Sequence, residues 1–286
     1  MVNKETFSPQ KFLTLSRFIQ DNYGIKMPMG KKTMLESRLR RRMLQVGYSS
    51  IDQYLDYVFS SEGTKNELVN MVDVITTNKT DFFREPHHFD ILANKIIPHI
   101  TASRFFTPSS FLRVWSSACS SGEEPYTLAM VLTELAENNG GLKFSILASD
   151  LSTRVLRKAH SGVYKEEQIA EIPQRFRKKY LLRSKESSLG LVQMGAALRK
   201  AVTFRRINLM DDDFAIKDKF HIIFCRNVLI YFQKDEQERL MLKFSKQLEP
   251  GGFLFIGHSE SLLGMDIPFD QVEPTVYRKN DRSRCP

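Results

Sequence analysis

The chemistry of this sequence gathers where apolar runs end. "VWSSACSSGEEPYTLAM" (114–130) passes from a strand-like start through small hydroxylated residues into a helix, with Gly122-Glu123-Glu124-Pro125 at the transition. Small residues there let a backbone approach a ligand, and the first helical turn offers unpaired N–H groups. The segment departs from the GxGxxG pattern of dinucleotide sites, because two glutamates that would repel a phosphate follow Gly122. A cationic ligand, or one rich in amine and hydroxyl donors, suits it better, and the methionine end of S-adenosylmethionine is of that kind. Equally, Glu123 and Glu124 could do no more than complement the helix dipole.

Other apolar runs end in similar fashion. "LASD" closes with Asp150, placed to accept both hydroxyls of a ribose, although an aspartate before "LSTRVL" could equally serve a turn or cap. "RINLMDDDF" brings Asn208 and the backbone around Leu209 toward an adenine edge, with Asp211, Asp212 and Asp213 as a solvated turn. "FCRNVLIYF" ends in Arg226 and Asn227, with Tyr231 beyond. Upstream, "TTNKTDFFREPHHF" carries Asn78, Thr80 and Arg84 in a stretch too polar to be only a connector. There is no Ser/His/Asp set and no activated cysteine pattern. His87-His88 lacks metal-ligand spacing, and Cys119, Cys225 and Cys285 are too scattered for a CxxC site, so no metal is expected.

Two kinds of element must position these residues. Residues 1–85 read as short amphipathic helices. Ser8 caps and Pro9 opens the first, with Phe12, Leu15, Phe18 and Ile19 on one face; Leu35, Leu39 and Met43 mark the next. After a linking helix within 86–106, short apolar runs alternate with helices through 107–286, which implies a parallel sheet covered on both faces. At about 183–206, strand-like alternation punctuated by Gly190 and Gly195 predicts a small antiparallel excursion. The expected fold is α/β, doubly wound and mostly parallel with a small antiparallel β-subdomain, preceded by an all-α N-terminal domain.

At 286 residues, 42% hydrophobic and 26% charged, the chain has an ordinary globular composition. No run of about 18 apolar residues and no apolar signal core appear, so a cytoplasmic protein without membrane insertion is expected. Net charge is +9, and fourteen Lys and Arg against four Asp and Glu put an excess of ten in residues 154–206 alone. Such a local surface suits an acidic partner, nucleic acid or protein.

"NKTDFFREPHHF", "VWSSACSSGEEPYTLAM", "ASDLSTRVLRKAHSGVY", "FCRNVLIYF" and "GGFLFIGHSES" together resemble the CheR family, the S-adenosylmethionine-dependent methyltransferases of bacterial chemotaxis, in order and over almost the whole chain. The resemblance implies methylation of glutamate side chains on the cytoplasmic helices of chemoreceptors to γ-glutamyl methyl esters, with S-adenosylhomocysteine as the other product. Carried onto matching positions, it implies that Asn78, Thr80 and Arg84 contact the cofactor, Glu124 its methionine portion, Asp150 its ribose, and Asn208 with Leu209 its adenosine. Arg226 and Asn227 would complete the pocket, and Arg84 and Tyr231 would lie nearest the transferred methyl group. Arg38, Arg41 and Arg42 in "ESRLRRRML" would face the receptor; at i, i+3 and i+4 they share a helix face, where charge is otherwise simply solvated. In some members the β-subdomain also binds a receptor C-terminal peptide by strand addition.

Such a reaction needs no general base, since a glutamate with an unperturbed pKa of about 4.3 is already ionised at neutral pH. Two other readings stand beside it. A nucleic-acid methyltransferase would use an Asn-Pro-Pro-Tyr type of strand end for a flipped base, where this chain has Arg226-Asn227-Val228. A non-catalytic module that senses S-adenosylmethionine would have no use for both Arg84 and Tyr231.

Overall fold

Among the described residues, five α-helices come first. α1 (Pro9–Tyr23) starts where the Ser8 hydroxyl accepts the Lys11 N–H at 3.2 Å, and it stops at Gly24, whose φ of 68° is left-handed. α2 (Lys32–Val46), α3 (Ile51–Val58), α4 (Ser61–Asn66) and α5 (Leu68–Ile75) follow. Phe12, Leu15, Ile19, Leu35, Leu39 and Met43 meet Tyr54, Leu55 and Met71 in a core of their own. Two short helices, α6 (His87–Ile91) and α7 (Ile97–Thr101), joined by a π turn, lead to the sheet. The computed structural model describes residues 7–103, 106–107, 110–138, 141–184, 186 and 189–280; Cys285 and parts of the expected linker (86–106) and excursion (183–206) lie outside these.

Among the described residues, ten strands are numbered in chain order. Seven form one sheet: β1 (Phe111–Ser117), β2 (Lys143–Asp150), β6 (Val202–Arg206), β7 (Phe220–Cys225), β8 (Leu248–Ile256), β9 (Phe269–Glu273) and β10 (Val276–Lys279). Their order is β6-β2-β1-β7-β8-β10-β9, parallel from β6 to β8, with β10 antiparallel to both its neighbours. Helices α8 (Glu123–Asn138), α9 (Thr153–Ser161), α10 (Gln174–Tyr180), α11 (Ala196–Ala201) and α12 (Lys234–Gln247) complete the domain. Successive residues of a strand face opposite sides: Val114 enters one core with Leu128 and Leu132 of α8, and Trp115 enters the other with Phe244 of α12. Trp115 is fully buried and donates its indole N–H to the Ser149 hydroxyl at 2.9 Å. Among the described residues, no helix is long and apolar enough to cross a membrane.

The antiparallel excursion exists but draws only in part on the expected residues 183–206. Its three strands are β3 (Val163–Lys165), β4 (Leu181–Arg183) and β5 (Leu191–Met194), in the order β3-β5-β4. Residues 196–201 are helical and 202–206 form the edge of the main sheet. The alternation that marks β5 and β6 is the same for either sheet, and pairing with distant β3 is a tertiary choice. The C-terminal hairpin of β9 and β10 was not expected from the sequence.

Candidate functional site

The main sheet reverses direction at β1, from which the chain proceeds through β2 and β6 on one side and β7 and β8 on the other. Ligands bind such folds outside the carboxyl ends of the strands at this reversal, and a cavity of about 320 Å³ lies here. All the residues expected around a cofactor line it: Asn78, Thr80, Arg84, Glu124, Asp150, Asn208, Leu209, Arg226, Asn227 and Tyr231. A further wall comes from the helical domain, through Tyr23, Ile25, Met27, Lys31 and Met34. Amphipathic spacing carries no signal for that wall, since it marks a core face and not what lies across a domain boundary.

The connecting backbone is held in unusual conformations. Phe83, Glu85, Ala118, Ser120 and Asn227 all take positive φ, between 50° and 58°, at a cost of order 1–3 kcal/mol each for a non-glycine residue. Hydrogen bonds secure them. Asp150 Oδ2 accepts the Ser120 N–H at 2.8 Å and Oδ1 the Ser152 N–H at 2.9 Å. Burial nevertheless raises the Asp150 pKa to about 6. Asp150 therefore serves the turn, as one reading of "LASD" had it, and also lines the cavity.

Glu124 and Arg226 form a buried pair. Glu124 accepts the Ser116 hydroxyl at 2.7 Å and the Arg226 Nε–H at 2.8 Å. Arg226 also donates to the Arg84 carbonyl at 2.9 Å, to Glu85 at 3.3 Å and to His88 Nδ1 at 2.9 Å. A guanidinium cannot accept, so His88 Nδ1 must; its proton sits on Nε2 and is donated to Thr275 at 2.7 Å. Burial and the Arg226 charge push the His88 pKa down to about 3. Burial opposes ionisation of Glu85, yet the Asn227 amide and Arg226 prevail and hold its carboxyl below the usual range. Glu85, His88 and His258 place ligand-type atoms within 4.8 Å of one another, but the Arg226 charge, donated into that group, opposes a second cation there.

Arg84 gives one hydrogen bond to the Lys79 carbonyl at 3.3 Å. Tyr231 ends the turn Leu229–Tyr231, with Lys31 Nζ 5.7 Å from its ring centre. The Asn78 carbonyl accepts the Ser120 hydroxyl at 2.9 Å. Asn208 spends its side-chain amide on the Asn22 carbonyl at 2.9 Å and on Asp211 at 3.0 Å, which ties β6 to α1. The sequence reading missed Glu85 and Glu260, although both stand inside quoted motifs, and it missed Lys243, which donates to the Leu209 carbonyl at 2.7 Å.

Three expectations change in detail. Gly122 makes no cavity wall: it has φ 96°, and a Cβ there would lie 2.8 Å from both Ala159 Cβ and the Tyr164 hydroxyl, so it serves the packing of α8 on α9. Glu123 turns toward Ser121 and Lys158, away from the cavity. Arg38, Arg41 and Arg42 of α2 do not act as one exposed face. Arg38 donates to the Ile75 and Thr76 carbonyls at 2.7 and 3.1 Å, Arg42 holds Glu67 at 2.6 Å through two nitrogens, and Arg41 alone of the three is exposed. Part of the basic excess is bonded within the chain, through Arg177, Lys179, Arg199, Arg205 and Arg206, although Lys179, Arg205 and Arg206 remain exposed.

Residues 10–76 match the family model described as CheR methyltransferase, all-alpha domain, and residues 78–278 that of the CheR methyltransferase, SAM binding domain. A chemotaxis protein methyltransferase of Borreliella burgdorferi is 39% identical over 267 residues, 93% of each chain. That of Escherichia coli is 35% identical over 97% of this chain and 93% of its own. Chemotaxis protein methyltransferase 2 of Pseudomonas aeruginosa is 37% identical over 89% of this chain and 87% of its own. Matched in order by both domains, and by relatives along nearly its whole length, the chain belongs to the CheR family of S-adenosylmethionine-dependent methyltransferases.

Proposed function

We propose that the protein methylates glutamate side chains in the cytoplasmic helical region of chemoreceptors, forming γ-glutamyl methyl esters and S-adenosylhomocysteine. The reading is carried by one observation: Glu124, Asp150 and Arg84 converge on a single cavity. That donor set fits a sulfonium amino acid joined to a nucleoside. Glu124 suits the amine and positive charge, Arg84 the cofactor carboxylate, and Asp150 the two ribose hydroxyls. With the Asn208 amide engaged elsewhere, the backbone at Leu209 is left to meet the adenine.

S-adenosylmethionine supplies an electrophilic methyl group; a glutamate oxygen takes it while the S–CH₃ electron pair stays on sulfur, so no proton moves. The protein's part is to desolvate and align, and positioning of this kind contributes on the order of 7–11 kcal/mol. Tyr231 donates one hydrogen bond near the reacting oxygen. The name shared by the relatives, chemotaxis protein methyltransferase, supports a receptor as the acceptor. Of the three arginines expected to dock it, Arg41 is the exposed one, and the small β3-β5-β4 sheet offers edges to a receptor C-terminal peptide. Methyl-labelled cofactor incubated with receptor-containing membranes should label protein, and base should release the label as methanol. Label on RNA, or none on either, rejects the proposal.

A further inference from the structure

Glu260 is buried in the turn after β8 and does not line the cavity. Its Oε2 accepts the N–H groups of Asn227 at 2.9 Å and Gly257 at 2.6 Å, and its Oε1 accepts that of Leu229 at 2.7 Å. These bonds fall where the chain leaves β7 and turns along the cavity, with Asn227 at φ 58° and then the Leu229–Tyr231 turn. Gly257 leaves no slack, because a Cβ there would lie 2.4 Å from the Asn227 side-chain nitrogen. On the other side, Glu85 accepts the Asn227 side-chain amide at 3.1 Å.

We propose that Glu260 is a positioning residue for the methyl-transfer site, one oxygen setting Asn227 against the cofactor and the other setting the turn that aims Tyr231. The inference rests on the methyl-transfer reading above. Because the two oxygens have separate tasks, Glu260→Gln separates them. Its carbonyl oxygen, turned toward Asn227 and Gly257, keeps two bonds, and its amide then opposes the Leu229 N–H. Affinity for S-adenosylhomocysteine by calorimetry is expected to stay within roughly threefold of wild type, while kcat per binding site falls roughly tenfold or more. Deuterium exchange should quicken at Leu229 and not at Asn227. Glu260→Ala should weaken affinity by roughly tenfold as well. A purely structural role would lower the melting temperature and the number of binding sites yet leave kcat per site unchanged. That result, or unaltered exchange at Leu229 in Glu260→Gln, overturns the proposal. The two readings fail separately: wild-type protein that labels no receptor, with exchange still quickened at Leu229, removes the acceptor and keeps the positioning role.

Discussion

Asp150 joins a role in the turn to the ligand role proposed for it. Its folded pKa of about 6 stands above the unfolded value of about 3.9, so the folded protein binds the proton more tightly. Its contribution to stability is thus fully present below pH 4 and is lost as pH rises to about 6; above that the buried charge costs roughly 3 kcal/mol. Hydroxyl donors from a ribose favour the carboxylate and offset that cost. Affinity for S-adenosylhomocysteine should therefore fall below pH 6, by up to about tenfold per unit, with a proton released on binding near pH 6. Calorimetry in buffers of different ionisation enthalpy measures this, and affinity that is flat from pH 5 to 7 would remove Asp150 from the ribose. That Asp150, Glu124 and Arg226 share one cavity was legible in the sequence because residues just after the strands of a parallel sheet gather at the same edge. Glu260 and Lys243 were not, since each acts on backbone far along the chain, at Asn227 and Leu209.

At the scale of elements, Gly122 joins two demands, a left-handed turn into α8 and contact with α9 and β3. Gly122→Ala meets both penalties, and a loss of about 2–4 kcal/mol is expected by chemical denaturation. Since the contact lies outside the cavity, product affinity of the folded fraction should be unchanged. The strands and helices that bear ligand residues were readable from local periodicity and caps. The small sheet was misplaced because β3 and β5 meet across almost thirty residues of chain that no local pattern links. Within α2 the spacing of Arg38, Arg41 and Arg42 was right and the inference of a shared exposed face was not, because α5 and Glu67 claim two of the three. Arg41→Glu is expected to weaken receptor association at unchanged melting temperature. Arg42→Ala is expected to cost about 2–3 kcal/mol, since Glu67 is 4% exposed and would lose its cation.

Across the whole molecule the two domains are clamped by Asp73. This buried carboxylate on α5 accepts the Thr153 N–H at 2.8 Å, the Thr153 hydroxyl at 2.7 Å and the Arg154 N–H at 3.1 Å, capping α9 from another domain. Asp73→Ala removes all three bonds and should cost about 2 kcal/mol or more, with limited trypsinolysis faster at Lys79 and Arg84 between the domains. Unchanged cleavage would show that the other contacts between the domains, Gly24 against Phe232 and Met210 and the Asn208 amide on the Asn22 carbonyl, suffice without Asp73. Each domain was legible in the sequence by itself; their joint was not, because helical spacing does not say which surfaces meet.

Tyr23, Ile25, Met27, Lys31 and Met34 of the helical domain stand over a cavity that the sheet domain floors. A molecule held there would touch both bodies at once, so filling the cavity is expected to stiffen the seam between them and to slow trypsin at Lys79 and Arg84.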